Sequence, residues 1–383
     1  MRVLVLSYHY PPDPSVGSLR PANVVRALLA AGHEVVVVTS TLDGETPGLR
    51  VKAEGLRVRA VKTWPNPRLW YSWLKSWLRR AYTRGRAVSD AGKAASSGAA
   101  VPSTVPFWKR AIFSFLWTPD DRQGFIPPAL GAILSERRRG GPFDLVYSSA
   151  PPFSVHLCAR LARRFLGANW LAGLRDPWTD NRGRPRHGGN QVSDAIERTL
   201  ERGCIQSADK VVCVTHGIRD GFLRWLQPDA QDNCVVVLNG ITQLWDDARQ
   251  VREGPVEILH IGTLYHKRDP RPFLDALAAY GARPGNAPRS VSVRFVGQCR
   301  WYGGVSVEEE IARRGLGEVV TLHDWVPHEE VEGFLDRADV LLLLAQDQPA
   351  QVPNKLFEYL GPRKTILAYA DSAGESARML DAV

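Results

Sequence analysis

Two short stretches in the second half of the chain combine residue types that bind anions. One reads Val352-Pro353-Asn354-Lys355-Leu356-Phe357-Glu358-Tyr359, a loop running into a helix. The first turn of a helix presents unpaired N–H groups and a partial positive charge, which together suit a diphosphate. Lys355 sits in that turn, where a cation disfavours the helix alone; a bound anion accounts for it. Glu358, one turn on, can reach past the phosphates and accept from two adjacent sugar hydroxyls. The other stretch reads Gly262-Thr263-Leu264-Tyr265-His266-Lys267-Arg268-Asp269-Pro270. It puts a glycine at the carboxyl end of a strand, where open α/β sheets take ligands. Arg268 in the same loop can make bidentate, charge-assisted bonds to a diphosphate. A solvated Lys and Glu on a surface helix is the plainer alternative for the first stretch.

The first half carries two further candidates. Gly17 is the one glycine in the loop of residues 8–18, and it lets a ligand approach the backbone. A simple turn glycine is the alternative. Arg175-Asp176-Pro177-Trp178 ends a predicted strand, where Asp176 can accept a proton or orient a hydroxyl. A structural Arg–Asp pair capping the loop is the alternative there.

Several chemistries are disfavoured. The loop of residues 8–18 lacks the G-x-G-x-x-G of a dinucleotide-binding dehydrogenase. Pro119-Asp120-Asp121-Arg122 reads as a turn before Gly124 and not as a strand-end carboxylate pair, so no metal is expected. The five cysteines are dispersed and form no C-x-x-C pair, which suits reduced, buried thiols in a cytoplasmic protein. No apolar run approaches the roughly 20 residues that a bilayer span needs.

Positioning these residues requires a repeating strand–helix framework. Residues 3–7 and 34–39 are apolar runs of buried-strand type, and residues 19–31 between them have helical spacing, ended by Gly32. Continuous apolar strands flanking a helix predict a parallel sheet covered on both faces. The rhythm returns in strands at 144–147, 170–174, 210–214 and 235–238. A second series starts at 256–261 and continues at 291–296, 319–322, 340–344 and 365–369. The chain is therefore predicted to hold two Rossmann-like doubly wound domains facing a cleft. These are residues 1–243, with an insertion at about 62–125, and residues 255–383, with a polar linker at 244–254. The second domain reads as short at its end, with one helix after its fifth strand.

At this point the chain resembles the family 4 glycosyltransferases, retaining enzymes of GT-B fold. The likeness rests on the opening strand and its proline-rich loop, on Ala31-Gly32-His33-Glu34-Val35, on Ala208-Asp209-Lys210-Val211-Val212, on Leu238-Asn239-Gly240, and on Lys355-Leu356-Phe357-Glu358-Tyr359. The resemblance implies a nucleotide-sugar donor, with no cofactor and no metal. It implies a donor site made by Gly262, Thr263, Arg268, Asn354, Lys355, Leu356 and Glu358, in which Arg268 and Lys355 stabilise the leaving diphosphate. Gly17, Arg175 and Asp176 would lie on the acceptor or sugar side. The match is incomplete. The family's diphosphate-binding Arg falls at Thr263 and its Lys at Arg268. The first of its two glutamates falls at Ala350, which puts the transferred sugar in doubt. A nucleotide-sugar epimerase of the same fold and a non-catalytic nucleotide-sugar-binding scaffold remain alternatives.

The formal net charge is +9. Residues 55–89 hold nine basic and no acidic side chains, which implies a local negatively charged neighbour. Within that stretch, Trp70, Trp73 and Trp77 fall on one helical stripe and Arg79 and Arg80 opposite, as in a helix lying on an anionic membrane surface. Packing of the stripe on the domain's own core is the alternative. The expected partners are a nucleotide-sugar, a glycan or polyprenyl-linked acceptor, and an anionic membrane surface; nucleic acid is not expected. The expected location is cytoplasmic, peripheral on the inner face of the cytoplasmic membrane, with a role in cell-surface polysaccharide or glycolipid synthesis.

Overall fold

The computed structural model describes residues 1–41, 53–65, 118–180, 191–241, 245, 254–265, 267–283 and 290–383. They divide into two compact units, Met1–Val214 with Ile218–Val237, and Thr215–Gly217 with Leu238–Val383.

In the first unit, alternate residues of each central strand enter two different cores, so the strands are apolar along their length. In β1 (Arg2–Ser7) and β2 (Glu34–Ser40), Leu4, Leu6, Val36 and Val38 pack with Phe125, Ile133 and Trp170. Val3, Val5, Val35 and Val37 pack on the opposite face with Ala22 and Val25 of α1 (Leu19–Ala30). The chain continues through β3 (Leu56–Val61), α2 (Ile126–Gly140), β4 (Leu145–Ala150), α3 (Ser154–Leu166), β5 (Asn169–Leu174), α4 (Gln191–Ser207), β6 (Lys210–Cys213), α5 (His216–Leu223) and β7 (Cys234–Val236). Helix α3 buries Val155, Cys158, Ala159, Ala162 and Leu166 at helical spacing and ends at Gly167, whose φ of 69° closes the helix in left-handed conformation. Among the described residues, this sheet is parallel in the order β3-β2-β1-β4-β5-β6-β7. The order reverses between β1 and β4.

The second unit repeats the plan. Its elements are β8 (Val256–Ile261), α6 (Arg271–Gly281), β9 (Val291–Val296), a small hairpin of β10 (Trp301–Tyr302) and β11 (Val305–Ser306), α7 (Val307–Arg313), β12 (Val320–His323), α8 (His328–Arg337), β13 (Val340–Ala345), α9 (Asn354–Leu360), β14 (Thr365–Ala370) and α10 (Glu375–Asp381). The main sheet is parallel in the order β12-β9-β8-β13-β14, with its reversal between β8 and β13. Leu342 and Leu344 face a core with Phe273 and Phe295, while Leu341 and Leu343 face one with Leu356 and Tyr359.

Strand β3, which the hydrophobic pattern does not reveal, changes the reading of the basic stretch. It is an edge strand whose outward residues include Arg57 and Arg59. Their Nε atoms lie 3.3 and 3.2 Å from the carboxylate of Glu136, and Arg139 Nη1 lies 3.7 Å from it. Glu136 is fully buried, so its charge needs these partners. Part of the expected negative neighbour is thus this chain's own glutamate.

The five cysteines are buried free thiols, and burial pushes Cys158 and Cys204 up to about 12. Two buried histidines bear on acid stability. Burial, and then the charge of Arg175, pushes His156 down to about 3. Burial pushes His260 down to about 4, with Arg268 and Lys355 adding to it against a bond to the Leu342 carbonyl. Unfolded, both titrate near 6.5. Between those limits the unfolded chain binds more protons, so stability is full above pH ~6.5 and falls as the pH drops toward ~4. From pH ~6.5 to ~5 each histidine lowers stability by on the order of 2 kcal/mol. Melting curves should show a marked fall in Tm between pH ~7.5 and ~5, smaller in His260→Gln; an unchanged Tm would contradict it.

Candidate functional site

In the second unit, the strand-order reversal between β8 and β13 brings together the two stretches that the sequence singles out. Gly262 follows β8 with φ 144°, and Gly297 follows β9 with φ 120°; both are conformations that favour glycine. The two loops press together. Gly262 N–H donates to Val296 O at 2.9 Å, and Cys299 Sγ lies 3.2 Å from Gly262 O. A side chain at Gly297 would run into the Gly262 carbonyl.

Two cations converge over Gly262. A β-carbon at that residue would lie 3.6 Å from Arg268 Nη1 and 3.7 Å from Lys355 Cε. Arg268 is half-buried, its guanidinium 4.3 Å from the centre of the Tyr265 ring. Its Nε is buried without a hydrogen-bond partner among the described residues. Thr263, half-buried, is next to Gly262 in the same loop. Lys267 adopts a φ of 73° and donates to Asp347 O at 2.8 Å. That bond ties the loop after β8 to the loop after β13 and leaves Arg268 as the guanidinium beside Gly262.

Helix α9 is short and firmly seated. Tyr359 is fully buried, and its hydroxyl accepts from Ile261 N–H at 3.0 Å, which joins the helix to the end of β8. Lys355 Nζ pairs with Glu358 Oε2, and Asn354 Nδ2 donates to Glu358 Oε1 at 3.2 Å. This ion pair supplies a reason for a lysine in the first turn that needs no ligand. Leu356 departs from its expected part in donor binding. Its side chain is wholly in the core, and its N–H donates to Pro353 O at 3.0 Å, so it seats the helix.

In the first unit, Arg175 follows β5 and clamps the loop after β1 to the end of β4. Its Nη1 donates to Gly17 O at 2.7 Å, its Nε to Ala150 O at 3.2 Å, and its Nη2 to Pro151 O. The reading of Arg175 as a sugar contact thereby gains a positioning role: most of its donors are committed to backbone carbonyls after β1 and β4. Asp176 is adjacent, and its charge favours the cationic form of Arg175 against the larger effect of burial. The rest of this loop is fixed by Trp178, stacked 4.5 Å from Phe153, and by buried Glu201, which accepts from Thr179 N–H at 3.1 Å and Trp225 Nε1 at 2.9 Å.

Asp120 is engaged structurally. Its carboxylate accepts from Ser154 N–H at 2.9 Å and from the Ser154 hydroxyl, at the start of α3. Among the described residues no three His, Cys, Asp or Glu side chains converge as metal ligands would. Trp70, Trp73, Trp77, Arg79 and Arg80 lie outside the described residues. The flanks of that region meet where Trp64 N–H donates to Gly124 O at 3.0 Å. Among the described residues no helix is long and apolar enough to cross a membrane.

One pair of polar residues is not evident from the sequence pattern. His9 Nδ1 lies 2.6 Å from Asp13 Oδ2, in the loop after β1 beside Gly17. The available signal is a His and an Asp four residues apart in a segment otherwise marked by its prolines and its glycine.

The sequence profile of the glycosyl transferase 4-like domain matches residues 18–240. The chain belongs to this family. The transferase also resembles solved structures along its length, at identities that establish the fold alone. Sucrose-phosphate synthase from Thermosynechococcus elongatus is 14% identical with a TM-score of 0.59, over 97% of this chain and 82% of that one. HepE of Anabaena, solved with UDP-glucose, is 12% identical with a TM-score of 0.53, over 100% and 88%. WaaG, a glycosyltransferase involved in lipopolysaccharide biosynthesis, is 13% identical with a TM-score of 0.54, over 100% and 84%. These neighbours give the transferase a GT-B fold. No curated protein matches it in sequence.

Proposed function

We propose that the transferase moves a sugar from a nucleotide-sugar donor to a glycan or lipid-linked acceptor, with retention of configuration. The observation that carries this reading is the convergence of Arg268 and Lys355 over Gly262, a glycine with no side chain to fill the space. Two cations over bare backbone suit a diphosphate, and one neighbour of this fold was solved with UDP-glucose. Thr263 and Asn354 lie beside the phosphates, and Glu358 holds the ribose. In the structure Lys355 and Asn354 both engage Glu358. Donor binding draws Lys355 to the phosphates and frees the carboxylate for two ribose hydroxyls.

As the glycosidic bond breaks, negative charge grows on the departing diphosphate. Arg268, and Lys355 once it is drawn to the phosphates, stabilise that charge, and such electrostatics act most strongly in the transition state. Retention then follows if the acceptor attacks from the face the diphosphate leaves, a path that requires no protein nucleophile. No metal is required, because the two cations do its electrostatic work. Gly17, Arg175 and Asp176 lie on the acceptor side, with Asp176 orienting a sugar hydroxyl.

Glu358→Ala tests the assignment. It is expected to weaken UDP, GDP or ADP binding by about 10- to 150-fold, the loss of hydrogen bonds to a charged group worth roughly 1.5–3 kcal/mol. Calorimetry on both proteins reads it, and unchanged nucleotide affinity would refute the ribose role.

The acceptor class rests on residues 62–125. The spacing of Trp70, Trp73 and Trp77, which on a helix would set them opposite Arg79 and Arg80, suits peripheral attachment to an anionic inner leaflet and so a polyprenyl-linked acceptor. Work in cell-surface polysaccharide or glycolipid synthesis follows from that acceptor. Co-sedimentation with anionic vesicles at low salt is expected; its absence would remove the membrane part.

A further inference from the structure

Among the described residues of the second unit, four buried side-chain polar atoms have no hydrogen-bond partner: His260 Nε2, Arg268 Nε, Gln346 Oε1 and Ser376 Oγ. Three of the four stand on β8 or on the loops that follow β8 and β13, where the strand order reverses. Folded proteins pair nearly all such atoms, so an orphaned group needs a reason. A polar ligand in the crevice that holds Arg268 and Lys355 over Gly262 would supply one.

Gln346 is half-buried just after β13. Its Nε2 donates to Asp269 O at 2.7 Å. A carbonyl only accepts, so this bond fixes which end of the amide is nitrogen and leaves Oε1 as the open acceptor. Asp269 is itself anchored, its carboxylate accepting from Arg271 N–H at 3.0 Å and pairing with the Arg271 guanidinium at 2.6 Å. Gln346 thus reaches from the end of β13 to the residue next to Arg268. It continues the alternation of Leu342 and Leu344, which face the core shared by Leu264 before Arg268 and by Phe273 and Leu274 of α6 after it. Helix α9 packs on the other face of the sheet through Leu356 and Tyr359. The two cations therefore approach Gly262 from two sides, Arg268 with Gln346 on the α6 side and Lys355 with Glu358 on the α9 side.

We propose that Gln346 Oε1 accepts a hydrogen bond from one hydroxyl of the transferred sugar and so helps to select the donor; this rests on the donor site proposed above. With the diphosphate between Arg268 and Lys355 and the ribose on Glu358, the sugar falls on the side of Arg268 and Gln346. A neutral amide oxygen can hold a hydroxyl there without repelling the diphosphate, as a carboxylate would. A sugar lacking that hydroxyl leaves Oε1 buried and unpaired, which is how a polar site discriminates.

The test is calorimetry with UDP-, GDP-, dTDP- and ADP-sugars, with the four sugar-free nucleoside diphosphates, and with deoxyfluoro analogues of whichever donor the wild type binds. Each analogue has fluorine in place of one sugar hydroxyl and so cannot donate. The wild type is expected to bind one analogue about 3- to 10-fold more weakly than the parent donor, the worth of one hydrogen bond. Gln346→Met keeps the length of the side chain without its polar atoms. It is expected to bind the parent donor about 3- to 10-fold more weakly, to show no further loss with that analogue, and to bind the nucleoside diphosphate as the wild type does. An equal loss with the sugar-free nucleoside diphosphate would make Gln346 a prop for the Arg268 loop and overturn the contact. Unchanged affinity for the parent donor, or the same analogue losses in both proteins, would also overturn it. If Gln346→Met does not fold, the wild-type series decides, and an absence of any weakened analogue overturns the contact. A wild type that binds neither a nucleotide-sugar nor a nucleoside diphosphate would overturn the donor site itself.

Discussion

Arg268→Ala is expected to lower kcat by about 10²- to 10³-fold while leaving folding stability nearly unchanged. The first half of this expectation comes from electrostatics, since removing one preorganised donor from developing negative charge costs roughly 3–4 kcal/mol of barrier. The second half comes from the structure. The Arg268 side chain makes no hydrogen bond or ion pair among the described residues; its interaction is the guanidinium 4.3 Å over the Tyr265 ring. Its removal therefore orphans no protein group, whereas removal of a structural arginine such as Arg175 strips three carbonyls of a donor. Arg268→Lys should fall between wild type and alanine, because it keeps the charge and loses the planar fork. Donor turnover and melting temperature, measured on the same preparations, check both halves. A stable variant with wild-type turnover would remove Arg268 from the site; an unstable one would make it structural.

Gly297→Ala is expected to give the largest stability loss of any single-methyl addition near the site. Its φ of 120° is one that side-chain-bearing residues rarely adopt, and strain of this kind costs on the order of 1–3 kcal/mol. The added carbon would also collide with the Gly262 carbonyl, which is backbone and held by Cys299 and β9. The loop must shift, and with it the surface beneath Arg268 and Lys355. A loss of about 3 kcal/mol or more, with weakened donor binding, is the expected result by denaturant unfolding and calorimetry. Gly262→Ala separates the two effects. Its β-carbon would meet Arg268 and Lys355 at ordinary contact distances of 3.6 and 3.7 Å, so it suffers the backbone strain without the collision. Equal behaviour of the two variants would contradict the account of the crossing loops.

The fold was legible where burial is two-sided. Runs such as Val35 to Val38 and Leu341 to Leu344 are continuous because each strand feeds a core on both faces. Strand β3 was not legible, because an edge strand needs no such run; its Arg57 and Arg59 look like surface charge until Glu136, distant in sequence, is placed beneath them. Helix α2 is obscure for a similar reason. It begins with two prolines, ends in an arginine run, and buries a glutamate. The convergence of Arg268 and Lys355 beside Gly262 was legible because strand, loop and helix are each local in sequence. The role of Arg175 was not, since it follows β5 while its partners follow β1 or lie at the end of β4, and they meet only when those strands pair. Leu356 misleads for the opposite reason: it stands within a motif, but the helical turn points it into the core.

The central claim is that Arg268 and Lys355 over Gly262 hold the diphosphate of a nucleotide-sugar. Its most direct test is nucleotide release from UDP-, GDP-, dTDP- and ADP-sugars, with and without a polyprenyl-diphosphate-linked acceptor and anionic vesicles. The account predicts release from one donor, accelerated by the acceptor and abolished in the Arg268→Ala, Lys355→Ala double variant. No release from any donor, together with no calorimetric binding of UDP, GDP, dTDP or ADP, would contradict it.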